Sequence, residues 1–507
     1  MKRILLSLTA LAQVFAAVPD PVKLDTGLIS GVAGTTPEVR VFKGVPFAAP
    51  PVGDLRWREP KALARWEGTR AADKFGPQCM QNAPGGPPAE GVSEDCLYLN
   101  VWTAAAQASE RRPVMLWIYG GGYNVGAGSQ PDYDGDALAR KGAVVVTINY
   151  RLGAFGFFSH PELTKESNGR AAANFGLMDA VASLQWVKRN IAAFGGDPSR
   201  VTIFGESAGA GLIASLMASP QAKGLFHRAI GESSSWTTAS IGRMQVLKDA
   251  EQAGVKYADG LAAKSLAELR SKPAADILRG GRGPGPVVDG VWVPADVGAI
   301  FAQGKHNDVP VLTGSNRDES FGGQPASAAA YAENARTKYG PLADTFLKVY
   351  PGATDEAARD AAFNAGRDEM AWVMRNWARM AAKTGKSKSY VYYFTHQPPA
   401  QANAKGGKFG ASARGTAVHT SEIVYVFNYL RGNRAWTDTD RKVADTMSSY
   451  WVNFAATGDP NGKGLARWPE FKETAAENAM VFGDTAQAGS VLSAAQAAFF
   501  QSYYDSL

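Results

Sequence analysis

Val201-Thr202-Ile203-Phe204-Gly205-Glu206-Ser207-Ala208-Gly209 is the stretch on which the reading of this 507-residue chain turns. An apolar, β-rich run, Val201 to Phe204, leads straight into Gly205-Glu206-Ser207-Ala208-Gly209, and a helix-competent run, Ala210 to Ala218, follows. The pattern is a strand, a sharp turn and a helix, with a serine at the apex. Glycine is needed on both flanks, because a Cβ at either place collides with a neighbouring strand or helix when the chain reverses so tightly. The same geometry lifts the Ser207 hydroxyl above the sheet and sets the next N–H at the positive end of the new helix. Glycine-rich turns with a serine are common, and it is the strand-to-helix setting that makes Ser207 a candidate nucleophile.

Working outward, Val114 to Tyr119 and Val144 to Asn149 are almost continuously hydrophobic, as expected of central strands buried on both faces of a mostly parallel sheet. Gly120-Gly121-Gly122-Tyr123 closes the first of them. Three successive glycines are either a flexible turn or a run of unobstructed N–H groups fit to receive an oxyanion, and the place at a strand end upstream of the serine favours the second. From Asn174 to Phe194, Leu177, Val181, Leu184, Val187 and Ile191 recur by three and four, predicting an amphipathic helix that Gly195-Gly196 ends. Arg228 to Glu232 and Val309 to Ser315 read as further strands, so the class is α/β.

Other segments frame this centre. Val22 to Val32 and Val39 to Val45 read as short strands, and Pro46 to Pro60 with the following cysteine loop as extended cover. Residues 238–282 and 323–386 look helical and predict insertions at about 238–286 and 320–388 beside the sheet. Gly280 to Pro286 is a lip or a linker. Tyr390 to Thr395 reads as a strand, and Thr437 to Ala456 as a helix stopped by Gly458-Asp459-Pro460.

Composition narrows the class. A net charge of +6 invites a nucleic-acid reading, but Lys2 and Arg3 belong to a leader and no basic stripe is interleaved with aromatics. Residues 1–16 have the parts of a signal peptide: Lys2-Arg3, an apolar run Ile4 to Ala12, and Val14-Phe15-Ala16. Export to the periplasm or beyond is therefore expected, with no stable membrane insertion, since no apolar run is long enough to span a bilayer. An exported protein is permitted a disulfide between its two cysteines, Cys79 and Cys96, the alternative being two buried thiols.

A serine needs a base, and the base needs an acid to hold it. Five histidines are available: His160, His227, His306, His396 and His419. No HExxH or Cys/His cluster is present, so neither a metal nor another cofactor is expected. In sheet hydrolases built on this elbow the acid and then the base follow the serine. That order removes His160. His227 follows too closely to leave room for an acid loop, and His306 precedes the Val309 strand. His396 and His419 remain, and spacing does not choose between them.

Longer motifs carry a resemblance. Asn190-Ile191-Ala192-Ala193-Phe194-Gly195-Gly196-Asp197-Pro198 before the elbow, Glu94-Asp95-Cys96-Leu97-Tyr98-Leu99-Asn100-Val101, Gly44-Val45-Pro46-Phe47-Ala48, Trp117-Ile118-Tyr119-Gly120-Gly121-Gly122 and Asn149-Tyr150-Arg151-Leu152-Gly153 resemble the type-B carboxylesterase family, cholinesterases included, over nearly all of the mature chain. The resemblance implies one α/β-hydrolase domain over 17–507, a large mostly parallel sheet flanked by helices with insertions around a gorge, and cleavage of small-molecule esters through an acyl-serine. It implies Ser207 as nucleophile, Glu319 as acid (Asp318 is the neighbouring alternative) and His419 as base. It further implies Gly121, Gly122 and Ala208 as the oxyanion hole, Glu206 and Ser235 near the triad, an Arg56–Glu94 salt bridge, and the Cys79–Cys96 disulfide. Tyr123 and Trp236 are candidate pocket residues.

The chain departs from the family in three places. Thr420 follows the base where glycine is common, and Tyr123 stands where phenylalanine is common. The Cys79–Cys96 loop has no tryptophan, which disfavours choline esters because their recognition needs a cation over an aromatic ring. A non-catalytic binding protein on the same fold, or a thioesterase or amidase with the same triad, are the other readings.

Overall fold

The two apolar runs around the glycine triplet become neighbouring parallel strands, β4 (Arg112–Ile118) and β5 (Val144–Ile148). Every residue of β5 is buried, as its unbroken hydrophobicity requires. The computed structural model describes residues 18–507 except 83–85, 87, 171, 239–242, 282, 284, 321–322, 401–416, 433 and 474–477, so the leader lies outside the described residues.

The sheet has eleven strands. Before β4 come β1 (Val32–Ala33), β2 (Arg40–Pro46) and β3 (Tyr98–Thr103); after β5 come β6 (Gly196–Glu206), β7 (Arg228–Glu232), β8 (Val311–Asn316), β9 (Ser389–Phe394), β10 (Ala479–Phe482) and β11 (Ala486–Gly489). Across the sheet the order is β11-β10-β9-β8-β7-β6-β4-β5-β3-β2-β1. From β10 to β5 all neighbours are parallel, while both margins are antiparallel. With helices flanking this sheet, the architecture is that of an α/β-hydrolase.

Topology places the site. From β4 the chain moves to β5 on one side; helix α1 (Phe175–Asn190) then returns it to β6 on the other side of β4. Strand order reverses there, and the carboxyl ends of β4 and β6 open the crevice in which open α/β sheets bind their ligands. A short 3-10 turn, Ile191–Phe194, and Gly195 at φ 78° end the α1 segment where the glycine pair predicts.

Other elements cover the sheet. Helix α2 (Ala208–Ala218) follows the elbow and is buried on all sides. Residues 238–286 contain helices Leu247–Gly260, Leu266–Ser271 and Ala274–Arg279; residues 320–388 contain Ala328–Tyr339, Ala343–Val349 and the long α3 (Asp355–Thr384). The latter half of α3 lies on the sheet itself: the Thr313 hydroxyl donates to the Met374 carbonyl at 2.7 Å, and a Cβ on Gly231 would strike the Trp377 ring at 2.2 Å. Beyond the short α4 (Ile423–Val426), α5 (Asp438–Thr457) starts on a Thr437/Asp440 capping box and stops at Gly458, φ 81°.

Strand β3 is invisible to hydrophobic periodicity because buried polar residues interrupt it. Asn100 accepts the Gly44 N–H at 2.9 Å and donates to Thr147 at 3.0 Å, and Thr103 donates to the Phe194 carbonyl at 2.8 Å. Cys79 and Cys96 form a disulfide. Among the described residues, no helix is long and apolar enough to cross a membrane.

Candidate active site

Backbone collisions define the elbow. A Cβ on Gly205 would lie 2.3 Å from the Ile118 carbonyl oxygen, and one on Gly209 1.9 Å from the same atom, so the end of β4 requires glycine at both positions. Ser207 itself adopts φ 54°, ψ −125°, a conformation that non-glycine residues rarely hold. It is pinned from both sides: its N–H donates to the Glu232 carbonyl at 2.8 Å, and its carbonyl accepts the Gly211 N–H at 3.0 Å.

The glycine triplet meets this turn directly. A Cβ on Gly120 would fall 2.8 Å from the Glu206 carbonyl oxygen and 2.9 Å from Ser207 Cβ. Gly121 and Gly122, at φ 100° and 61°, are exposed, and among the described residues no acceptor takes their N–H groups. Ala208 is the first residue of α2, so its N–H has no intrahelical acceptor.

The candidate acid and base arrive from β8 and the segment before α4. Glu319, 1% exposed, accepts the Asn316 N–H on Oε2 at 3.1 Å, and its Oε1 accepts the His419 Nδ1–H at 2.7 Å. On the other side of the imidazole, Nε2 lies 3.1 Å from Oε1 of Glu206, the residue preceding Ser207. Asp318 turns elsewhere, with its carboxylate on Arg317 at 2.8 Å and on the Ala417 N–H at 2.9 Å. The Asn316 side chain donates to the Val418 carbonyl at 2.9 Å and also to Glu422, tying the two segments together.

The remaining histidines serve local structure. His160 caps a helix by accepting the Glu162 N–H at 3.2 Å, and His227 accepts the Val201 N–H at 3.2 Å. His306 stacks on Phe301 at 4.3 Å. His396 lies 2.8 Å from both Asp440 and Asp484.

Three buried glutamates surround the pair. Glu206, Glu232 and Glu422 are all raised above the ordinary carboxylate range, burial being the largest cause in each. The Glu232 carboxyl accepts the Trp451 Nε1–H at 2.9 Å. Among the described residues, Glu232 Oε2, Ser233 Oγ, Asn316 Oδ1 and Glu422 Oε1 are buried without a hydrogen-bond partner. For His419, burial opposes the imidazolium, but the Glu206 charge and the bond and charge of Glu319 outweigh it and push the group up to about 9. Residue identity did not signal Glu232, Glu422 or Asn316: a glutamate at a strand end becomes conspicuous only once burial is known.

The candidate pocket residues meet. Trp236 Nε1–H donates to the Tyr123 hydroxyl at 2.9 Å with the rings stacked at 6.5 Å, and Phe157 abuts Tyr123 edge-on at 5.3 Å. Gly285 of the 280–286 segment packs on the Tyr123 ring, where a Cβ would come within 2.8 Å; residues 282 and 284 of that segment lie outside the described residues. Ser235 pairs its hydroxyl with Thr237 Oγ1 at 2.8 Å and accepts the Thr237 N–H at 3.0 Å. Arg56 and Glu94 form the expected salt bridge at 2.5 Å. Among the described residues, the one grouping with ligand atoms near enough to share a cation is Glu206, Glu319 and His419, within 4.8 Å of one another. The two acids there face a ring that they favour as imidazolium.

The model of the carboxylesterase family matches residues 19–500. The chain is 37% identical to a fumonisin B1 esterase of Sphingopyxis macrogoltabida, covering 94% of this chain and 89% of that one. It is 34% identical to a medium-chain fatty acyl-CoA hydrolase precursor of Anas platyrhynchos, over 85% of this chain and 83% of the relative. It is also 34% identical to liver carboxylesterase 1 of Oryctolagus cuniculus, over 94% and 91%.

Proposed function

The chain belongs to the carboxylesterase family, a carboxylic ester hydrolase, and from that premise we propose that Ser207, His419 and Glu319 are its catalytic triad. The observation that carries the reading is the His419 imidazole held by Glu319 at 2.7 Å on one nitrogen and set 3.1 Å from Glu206, the neighbour of Ser207, on the other.

Ser207 attacks the ester carbonyl while His419 takes its proton. The tetrahedral oxyanion is received by the N–H groups of Gly121, Gly122 and Ala208. Losing one such donor typically costs about 3 kcal/mol of transition-state stabilisation. Collapse expels the alcohol, protonated by His419, and leaves an acyl-serine; His419 then activates water to release the acid. Glu319 fixes the tautomer and stabilises the imidazolium throughout. Glu206 adds a second negative charge facing that cation.

A relative named for fatty acyl-CoA hydrolysis makes thioesters a second substrate class for the same triad. Export to the periplasm or beyond is part of the proposal, supported by the leader-like residues 1–16 and by a disulfide that persists in oxidising compartments.

The test is Ser207→Ala, assayed on a short-chain p-nitrophenyl ester. Turnover should vanish while the thermal unfolding profile stays that of the parent. A folded variant that keeps its turnover overturns the assignment.

A further inference from the structure

Tyr123 directly follows the proposed oxyanion glycines, and its hydroxyl lies against the first turn of α2, where a Cβ on Gly211 would come within 2.2 Å of it. Gly211 is one helical turn from Ser207, to whose carbonyl it donates at 3.0 Å. One turn advances an α-helix by only about 5.4 Å, so the phenol tip and the nucleophile share the same end of the same helix.

The hydroxyl oxygen accepts the Trp236 Nε1–H at 2.9 Å. Indole donates and cannot accept, so the phenol hydrogen must look elsewhere. Among the described residues no acceptor takes it. The residue is only 9% exposed, and burial pushes its phenol above the ordinary value, so the group stays a donor across the working pH range. Phe157 and Gly285 hold the ring, and among the described residues the hydroxyl hydrogen is its one polar group without a partner. A buried O–H without an acceptor is unfavourable until an acceptor arrives. A phenylalanine here leaves no such demand.

We propose that Tyr123 is a specificity-determining residue: its hydroxyl hydrogen donates to an oxygen that the ester carries a few bonds from the scissile carbonyl. The preferred substrates are oxo- or alkoxy-substituted esters, over plain alkyl esters of the same size. The proposal rests on the reading of Ser207 as nucleophile.

The experiment compares kcat/KM for shape-matched pairs, one varied on the acyl side (p-nitrophenyl 4-oxopentanoate against p-nitrophenyl pentanoate) and one on the alcohol side (2-methoxyethyl acetate against butyl acetate). Each pair is run on the parent and on Tyr123→Phe. In at least one pair the preference for the oxygen-bearing ester should fall about tenfold in Tyr123→Phe, because the intrinsic reactivity of the esters cancels in the ratio of ratios. Trp236→Phe, which removes the indole donor but keeps the phenol hydrogen, should retain that preference to within about threefold.

Ratios unmoved by Tyr123→Phe in both pairs overturn the proposal and reduce Tyr123 to a support for Trp236. Loss of the preference in Trp236→Phe overturns it too, since wall packing would then be the cause. A parent enzyme inactive on every one of these esters overturns the triad reading and this proposal with it, an outcome distinct from an active parent with unmoved ratios.

Discussion

Glu206 and Glu232 are register partners at the carboxyl ends of the adjacent parallel strands β6 and β7, and both side chains are buried. Two like charges so placed cannot both persist away from water, and the Glu206 charge adds to burial in raising the proton affinity of Glu232. The serine elbow is anchored to this pair, because the Ser207 N–H donates to the Glu232 carbonyl. The proposed base and the buried acids therefore titrate as neighbours, close beside Ser207.

Glu206→Gln should move the pH–rate profile. As the proposed base, His419 must be neutral to accept the Ser207 proton, and it is pushed up to about 9, so kcat/KM of the parent should climb with pH toward that value. After burial, which lowers it, the Glu206 charge is the largest influence on His419 and acts in the opposite direction. Removing that charge should shift the limb toward acid by about 1 unit or more. Initial rates on an activated ester across pH 6–10 decide it. A limb that stays in place means another group governs the profile.

Glu232→Gln should alter stability only as pH rises. Glu232 is pushed up to about 8 by burial, with the Glu206 charge adding and the Trp451 bond opposing. The folded state thus binds more protons than the unfolded one between the ordinary glutamate value and about 8. This contribution is fully present in acid and is lost as pH climbs through that window. The amide mimics the protonated acid, so the variant should match the parent near pH 5 and exceed it near pH 9 in denaturant midpoint. The reverse order would show that Glu232 is ionised in the fold.

Thr420→Gly should stabilise the protein by about 1 kcal/mol, because Thr420 is an exposed β-branched residue at φ 72°. Relief of left-handed strain outweighs the extra chain entropy of glycine. Urea unfolding measures the gain. A loss of stability would mean that the Thr420 side chain has contacts worth more than the strain.

Gly209→Ala should be among the most damaging single-methyl changes in the chain. The added Cβ would stand 1.9 Å from the Ile118 carbonyl oxygen, in backbone that has no flexible end to yield. A destabilisation above about 3 kcal/mol is expected, read as lost soluble yield or a lowered midpoint. Gly122→Ala meets nothing within 4 Å, so its penalty should come mainly from the left-handed backbone.

Much of the frame was legible where chemistry is local. The elbow announced itself because only glycine fits beside Ile118, and the α1 helix because Leu177, Val181, Leu184 and Val187 recur by three and four. The buried strands β4 and β5 stood out as unbroken hydrophobic runs. Strand β3 did not, since Asn100 and Thr103 satisfy buried backbone and side-chain groups and break the run. Glu319 and His419 came from resemblance alone: about a hundred residues part them, and spacing left His396 equally open. The structure sets His396 between Asp440 and Asp484 instead. Ser235, named beside the triad by resemblance, turns its hydroxyl to Thr237. Glu232 and Glu422 escaped notice because their significance lies in burial, which one sequence does not display.

The Asn316 side chain, which joins the acid segment to the base segment, has a consequence for how the site is paid for in entropy. Ser207 follows the last residue of β6, and Glu319 lies three residues past the end of β8. Through Asn316 and the Asp318–Ala417 pairing, the base is gauged against β8 as well. Each group of the proposed triad thus hangs from the sheet by a few bonds, and positional error has little length over which to accumulate. The ordering is completed when the chain folds, so under the proposed mechanism an arriving ester finds the constellation already assembled, and its binding energy is free to act on the ester alone.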